Sequence, residues 1–374
     1  MTNRPKRILM TADTVGGVWT YALELARALG KHGVEVAIAT MGPEPSPAQR
    51  AEAAAIRNVD LFKSNYKLEW MENPWSDLRA AGEWLMNLEG RLRPDVVHLN
   101  GYVHAALPWR SPKLVVGHSC LYSWWRAVRW TEPPSEWAEY KTLVQRGLRA
   151  ADLVVAPTRA MLNTLDENYP RSLNGKSLVI PNGLDVGSFA PALKTRFVFA
   201  AGRLWDEAKN AETLIGISWQ LPWAVCLAGE KQNVDGGAAV CLQENCYALG
   251  KLPRETLRHW YACAAIYVLP AHYEPFGLTV LEAALSGCAL VLGAIDSLKE
   301  NWEGAAIFVN PQDRAALKTS LEELIRNEAY RARMGRAARE RALSFSSTRM
   351  AEQYLNAYND LLTGHGRRAL AVCA

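Results

Sequence analysis

Residues 265–287 read AIYVLPAHYEPFGLTVLEAALSG. The opening run is apolar and does not alternate with polar residues, so it reads as a strand buried on both faces. Pro270 closes it, because proline cannot donate to a strand ladder. Pro275 suits the region just before a helix, and the apolar run from Leu278 to Leu285 reads as that helix. A strand covered on both faces needs helices on both sides of its sheet. This strand–loop–helix unit therefore predicts an α/β fold built on parallel strands.

Outward from this stretch the same unit recurs. RFVFAAGR, WAVCLAG, CYALG, AIYVLP, ALVLGA and AIFVN form one series of strands with helical patterns between them. An earlier series runs RILMTA, VEVAIAT, DVVHLN, KLVVGH, LVVAPT and SLVIPNG, and ends near residue 180. Gly16-Gly17 makes a turn after the first strand, and 18–30 reads as a helix with Val18, Leu25 and Leu29 inward. Such alternation predicts two Rossmann-like domains with right-handed crossovers, 1–185 and 186–346. A last helical stretch, about 347–363 within 347–374, is expected to pack back on the first domain. No internal repeat or heptad run is visible.

The composition is that of a globular chain: 374 residues, 49% hydrophobic and 21% charged. A net charge of +4 is too small to mark a nucleic-acid binder. The seven cysteines (120, 226, 241, 246, 263, 288 and 373) include no CxxC pair and no zinc spacing. They read as reduced core residues of a cytoplasmic protein. The N-terminus lacks the apolar region of a signal peptide, and no apolar run is long enough to span a bilayer.

In open parallel sheets, ligands bind beyond the carboxyl ends of the strands. The polar residues expected there are Gly16-Gly17, His98, His118, Thr158, Asn182-Gly183, Arg203 and Glu274, from two domains facing one cleft. At Phe276, Gly277 and Leu278 the start of a helix would offer free N–H groups, which attract phosphate. Glu274 stands just ahead of that end. Glu282 lies about one and a half turns along the helix, within reach of neutral hydroxyls such as those of a ribose. The alternative is a capping carboxylate and a solvated glutamate; the apolar neighbours Val280, Leu281, Ala283 and Ala284 weigh against it. Arg203 and Lys209, in AGRLWDEAKN, are suited to grip phosphate oxygens, although a solvated loop would show the same residues. His98 and His118 end strands, where a histidine can donate to or orient a substrate, or simply hydrogen-bond the fold. VIPNGLD offers Asn182, Gly183 and Asp185, of which Asn182 and Gly183 read as a turn at the domain junction. No two aspartates are separated by a single residue, so a DxD metal clamp is absent; cations and helix ends must neutralise any phosphate charge.

In combination these motifs resemble the family 4 retaining glycosyltransferases of the GT-B fold. The resemblance runs over nearly the whole chain: Gly16-Gly17, GHS with His118, VAPT, IPNGLD, GRLWDEAKN, and EPFGLTVLE as the family's E-x7-E motif. It implies transfer of a hexose from a nucleotide sugar, UDP-glucose or a related UDP-hexose, without metal or other cofactor. It further implies that Arg203 and Lys209 bind the donor diphosphate, that Glu282 holds the ribose, and that Glu274 and His118 lie near the reacting carbon. Gly17, Gly250, Leu252, Phe276, Gly277 and Leu278 fall at donor-binding positions. After GCALVLGA the family carries a glycine pair before Pro-Glu; here Ser297, Leu298 and Lys299 replace that loop, with Glu300 at the glutamate position.

The expected acceptor is a sugar or lipid-linked sugar, as in polysaccharide or glycoconjugate synthesis. Its candidate contacts are His98 and the segment SCLYSWWRAVRW, with Trp124, Trp125, Arg126 and Arg129. Indole faces stack on sugar rings, and arginine holds hydroxyls or a phosphate. The same mixture suits contact with the inner membrane surface. The rival readings are a glycoside hydrolase, which also needs paired carboxylates but not Arg203, Lys209 and a phosphate-ready helix end, a UDP-sugar epimerase, and a non-catalytic nucleotide-sugar binder.

Overall fold

The computed structural model describes residues 4–173, 175–232 and 241–372, with side chains through 365. The chain divides into two compact units. The first comprises residues 1–125, 131–183 and 347–374, and the second 126–130 and 184–346.

The first unit holds a seven-stranded sheet. Its strands are β1 (Arg7–Asp13), β2 (Glu35–Met41), β3 (Val59–Phe62), β4 (Val96–Leu99), β5 (Lys113–Val116), β6 (Leu153–Ala156) and β7 (Ser177–Val179). The order is β3-β2-β1-β4-β5-β6-β7, with every pair parallel. The second unit holds β8 (Thr195–Ala201), β9 (Ala224–Ala228), β10 (Cys246–Gly250), β11 (Ala264–Leu269), β12 (Ala289–Gly293) and β13 (Ile307–Val309). Its order is β10-β9-β8-β11-β12-β13, again all parallel. Two Rossmann-like sheets are therefore present. The central strands β4, β11 and β12 are buried along their whole length, which is why they read as unbroken apolar runs.

Each order reverses once, between β1 and β4 in the first sheet and between β8 and β11 in the second. At such a switch point the loops leave in opposite directions and open a crevice at the strand ends. Gly16 and Asn100 follow the strands at the first reversal; Arg203 and Glu274 follow those at the second.

The edge strand β3 is absent from the sequence reading. Only four residues long and half exposed, Val59–Phe62 lacks the apolar signal of a central strand. The last helix is longer than expected, Ser347–Val372. Gly364 and Gly366 look like a helix stop in sequence, yet the helix runs through them. Residues Ser297–Lys299 also form no loop: they lie in the helix Asp296–Trp302. Among the cysteines, 120, 226, 246 and 288 are buried as expected, but Cys241 is exposed and Cys263 half-buried. Cys373 lies outside the described residues. Among the described residues no helix is long and apolar enough to cross a membrane.

Candidate active site

The second unit gathers its charged candidates around the β8–β11 reversal. Beyond β8, Arg203 Nη2 donates to Asp206 Oδ2 at 2.8 Å. Asp206 also caps the short 3₁₀ turn Glu207–Lys209 by accepting from Ala208 N. Asn210 follows with φ 55°, a left-handed conformation that asparagine tolerates. Its Nδ2 donates to the carbonyls of Pro270 and Pro311, which ties the turn to the ends of β11 and β13. These bonds place Lys209 against Glu274, Nζ to Oε2 at 2.7 Å, with both side chains mostly buried.

Glu274 is held from two further directions. Its Oε1 accepts from Gly277 N at 3.0 Å, and its backbone carbonyl accepts from Ser297 Oγ at 2.5 Å. The carboxylate is thus both an ion-pair partner and a cap for the helix Leu278–Leu285. Gly277 sits at φ 88°, where a Cβ would stand 2.9 Å from Val280 Cγ2. Glycine is required there by backbone and by space. The Phe276 side chain is core, edge-on to Phe345, so only its backbone can reach a ligand. Glu282 is half-buried on the same helix. Burial, together with the nearby Glu282 carboxylate, raises the Tyr261 hydroxyl well above its ordinary value.

Three glycines close the adjoining strand ends. Gly229 N donates to Gly250 O at 2.8 Å, and Gly202 N donates to Ala228 O at 3.0 Å. A Cβ on Gly229 would lie 1.8 Å from Gly202 O. Gly250 turns the chain at φ 69°, and Leu252 just beyond it packs on the core.

The first unit brings its two histidines together. His118, two residues past β5, places Nε2 2.8 Å from Asn100 Oδ1. Tyr21 meets its ring edge-on, centroids 4.4 Å apart. His98 is fully buried, its Nδ1 2.7 Å from Tyr358 Oη and its Nε2 3.2 Å from Tyr21 Oη. This corrects the reading of His98 as an acceptor contact: an enclosed ring supports its neighbours and meets no ligand. Thr158 is likewise no cleft residue. Fully buried, its hydroxyl caps the helix Arg159–Asn168. Gly16, at φ 91°, precedes the helix Gly17–Gly30, and Asp13 Oδ1 accepts from Val15 N in the same turn.

Burial pushes both imidazoles down to about 3 from 6.5, and at His98 the neighbouring His118 adds to the effect. A depressed pKa gives stability that is present above the unfolded value and lost as pH falls through the folded one. At pH 5 that loss is about 2 kcal/mol per ring. Glu69 opposes it: burial raises its carboxyl to about 6 despite the N–H groups of Tyr102 and Val103. Protonating Glu69 between pH 7 and 5 returns about 1 kcal/mol. These three groups together should give urea unfolding a loss of about 3 kcal/mol over that interval, and the buried His104, lowered in the same way, adds to it. Equal stability at pH 7 and 5 would refute neutral, buried histidines.

The tryptophan segment forms the helix Leu121–Arg129. Trp124 and Trp125 are half-buried, and Trp125 Nε1 donates to Thr131 Oγ1. Trp130 is 68% exposed, so the three indoles do not fill a core together. Arg126 is half-buried, and Arg129 is paired with Glu207 at 2.7 Å. Asn182 is buried near the end of the first unit, and Gly183 N lies 3.2 Å from Met350 Sδ. Asp185 accepts from Ser188 Oγ, a turn contact. Sequence reasoning missed Asp13, Tyr21, Asn100, Asp206, Asn210 and Tyr358. Asn100 alone carried a signal: it ends an apolar strand two residues after His98.

Comparison with known proteins bears on the family and the fold. The description Glycosyltransferase Family 4 matches residues 15–188, and Glycosyl transferases group 1 matches 188–341. The D-inositol 3-phosphate glycosyltransferase of Corynebacterium diphtheriae is 25% identical over 389 residues, covering 92% of this chain and 90% of its own. The mannosylfructose-phosphate synthase of Agrobacterium fabrum is 26% identical over 410 residues, covering 93% and 87%. In fold, the sucrose-phosphate synthase of Thermosynechococcus elongatus superposes with a TM-score of 0.80 at 20% identity, over 96% of this chain and all of the other. With matches to both halves and two parallel Rossmann-like sheets, the chain belongs to the family 4 glycosyltransferases and has the GT-B fold.

Proposed function

We propose that this glycosyltransferase moves a hexose from a UDP-hexose to a hydroxyl of a sugar or phosphorylated polyol, with retained anomeric configuration and without a metal ion. The observation that carries this reading is the Lys209–Glu274–Gly277 arrangement beside Arg203. Both cations are set in place by carboxylates, Asp206 and Glu274, at the end of a parallel sheet. A diphosphate arriving there meets positive charge already oriented, which is what a leaving group with developing charge requires. The first turn of the helix Leu278–Leu285 adds its N–H groups. Glu282 serves the ribose, and Gly250 and Leu252 the base. Glu274 and His118 act at the sugar, and Trp124, Trp125, Arg126 and Arg129 at the acceptor. Among the described residues no carboxylate stands out as a nucleophile, which favours front-face attack, with a phosphate oxygen taking the acceptor's proton. The two curated relatives are named for a phosphorylated polyol and a sugar phosphate, and those names support an acceptor of that kind over a lipid-linked one.

The test is release of nucleoside diphosphate from a panel of UDP-, GDP- and ADP-hexoses, with and without inositol phosphates and hexose phosphates, in the presence and absence of EDTA. UDP release that depends on acceptor and survives chelation is expected. Preference for GDP or ADP donors would overturn the donor. Loss of activity on chelation, restored by Mg²⁺ or Mn²⁺, would overturn the metal-free account.

A further inference from the structure

We infer that Asn100 is a positioning residue that fixes the His118 ring with its proton on Nε2 and its lone pair on Nδ1. The carboxamide of Asn100 has a defined orientation. Its Nδ2 donates to the Thr11 carbonyl at 2.6 Å, and its backbone N donates to Thr11 Oγ1 at 2.8 Å. Turned over, the amide would set its own oxygen against the Thr11 carbonyl. Oδ1 therefore faces the histidines, 2.8 Å from His118 Nε2 and 3.3 Å from His98 Nε2. An amide oxygen accepts and never donates, so the proton in the shorter bond belongs to His118 Nε2. A neutral imidazole carries one proton, which leaves Nδ1 as an acceptor. Among the described residues no protein group hydrogen-bonds Nδ1.

The surroundings keep the ring neutral. The titratable groups facing the two histidines are Tyr21 from the helix Gly17–Gly30 and Tyr354 and Tyr358 from the last helix. Burial raises all three hydroxyls, so they stay protonated. A neutral ring with a bare Nδ1 is set to accept a hydrogen bond from a substrate hydroxyl; with the other tautomer it would present a donor instead.

Two measurements test this. In wild-type protein labelled with ¹⁵N-histidine, the His118 signals, assigned by their loss in His118→Ala, should show Nε2 protonated and Nδ1 bare at pH 7. The opposite tautomer would overturn the inference, whatever reaction the protein catalyses. The second arm rests on the glycosyl transfer proposed above. Asn100→Asp sets a carboxylate against Nε2 and favours the imidazolium, so the acidic limb of kcat/KM should move up by about one pH unit or more. On the acidic limb, activity at a fixed pH should fall about tenfold for each unit of that shift, with UDP affinity unchanged. The KM that moves, donor or acceptor, identifies which substrate supplies the hydroxyl. An unmoved acidic limb would overturn Asn100 as a positioning residue.

Discussion

Glu274→Gln is expected to lower turnover about a hundredfold or more while nucleotide affinity stays nearly intact. The substitution keeps the shape of the side chain and an oxygen to cap Gly277 N. It removes the charge, and with that oxygen on Gly277 N it turns an amide NH₂ toward Lys209, which now sits 2.7 Å from a carboxylate. If Glu274 served only to hold Lys209, releasing that cation would tighten UDP binding and leave turnover within a fewfold of wild type. If the carboxylate acts at the sugar, turnover falls and UDP affinity hardly changes. Steady-state kcat and calorimetric UDP binding on the same preparation separate the two. Wild-type turnover would remove Glu274 from the chemistry.

The second large effect is on folding. Gly229→Ala should destabilise the second unit by about 4 kcal/mol or more. Two penalties coincide: a Cβ would lie 1.8 Å from the carbonyl oxygen of Gly202, and φ is +136°. Neither partner can swing aside, because both are backbone held by bonds to Ala228 and Gly250. Gly304→Ala is the control. At φ +77° with nothing within 4 Å, it carries strain but no collision, and about 1 kcal/mol is expected. Thermal unfolding of both variants decides the matter. If Gly229→Ala melted no earlier than Gly304→Ala, the close approach of the two turns would not be a constraint.

The parallel sheets were legible because their strands are buried on both faces, and such strands announce themselves as apolar runs. The edge strand Val59–Phe62 was not, because half-exposed pairing leaves no pattern. Glu274 and Lys209 were visible as candidates, but their pairing was not. It depends on the left-handed Asn210 and its bonds to Pro270 and Pro311, residues 60 and 101 positions away. His98 shows the opposite limit. It lies inside the fourth strand, one residue before its end, and what encloses it comes from Tyr358, 260 residues on. Strand order, which decides where the crevices open, leaves no trace in local pattern at all.

That distance between His98 and Tyr358 has a consequence for how the protein is made. Chains emerge from the ribosome N-terminus first, and units fold as they become complete. The second unit needs little beyond the continuous stretch 184–346, whereas the first also needs residues after 346. The first unit begins to be synthesised earlier and is finished later. Until the last helix arrives, Tyr21 and His98 lack their tyrosine cover and stand open to water. A chain cut short at residue 346 would leave the ribosome with its second unit whole and its histidine pair unsealed, so residues made after the second unit complete the half that was started first.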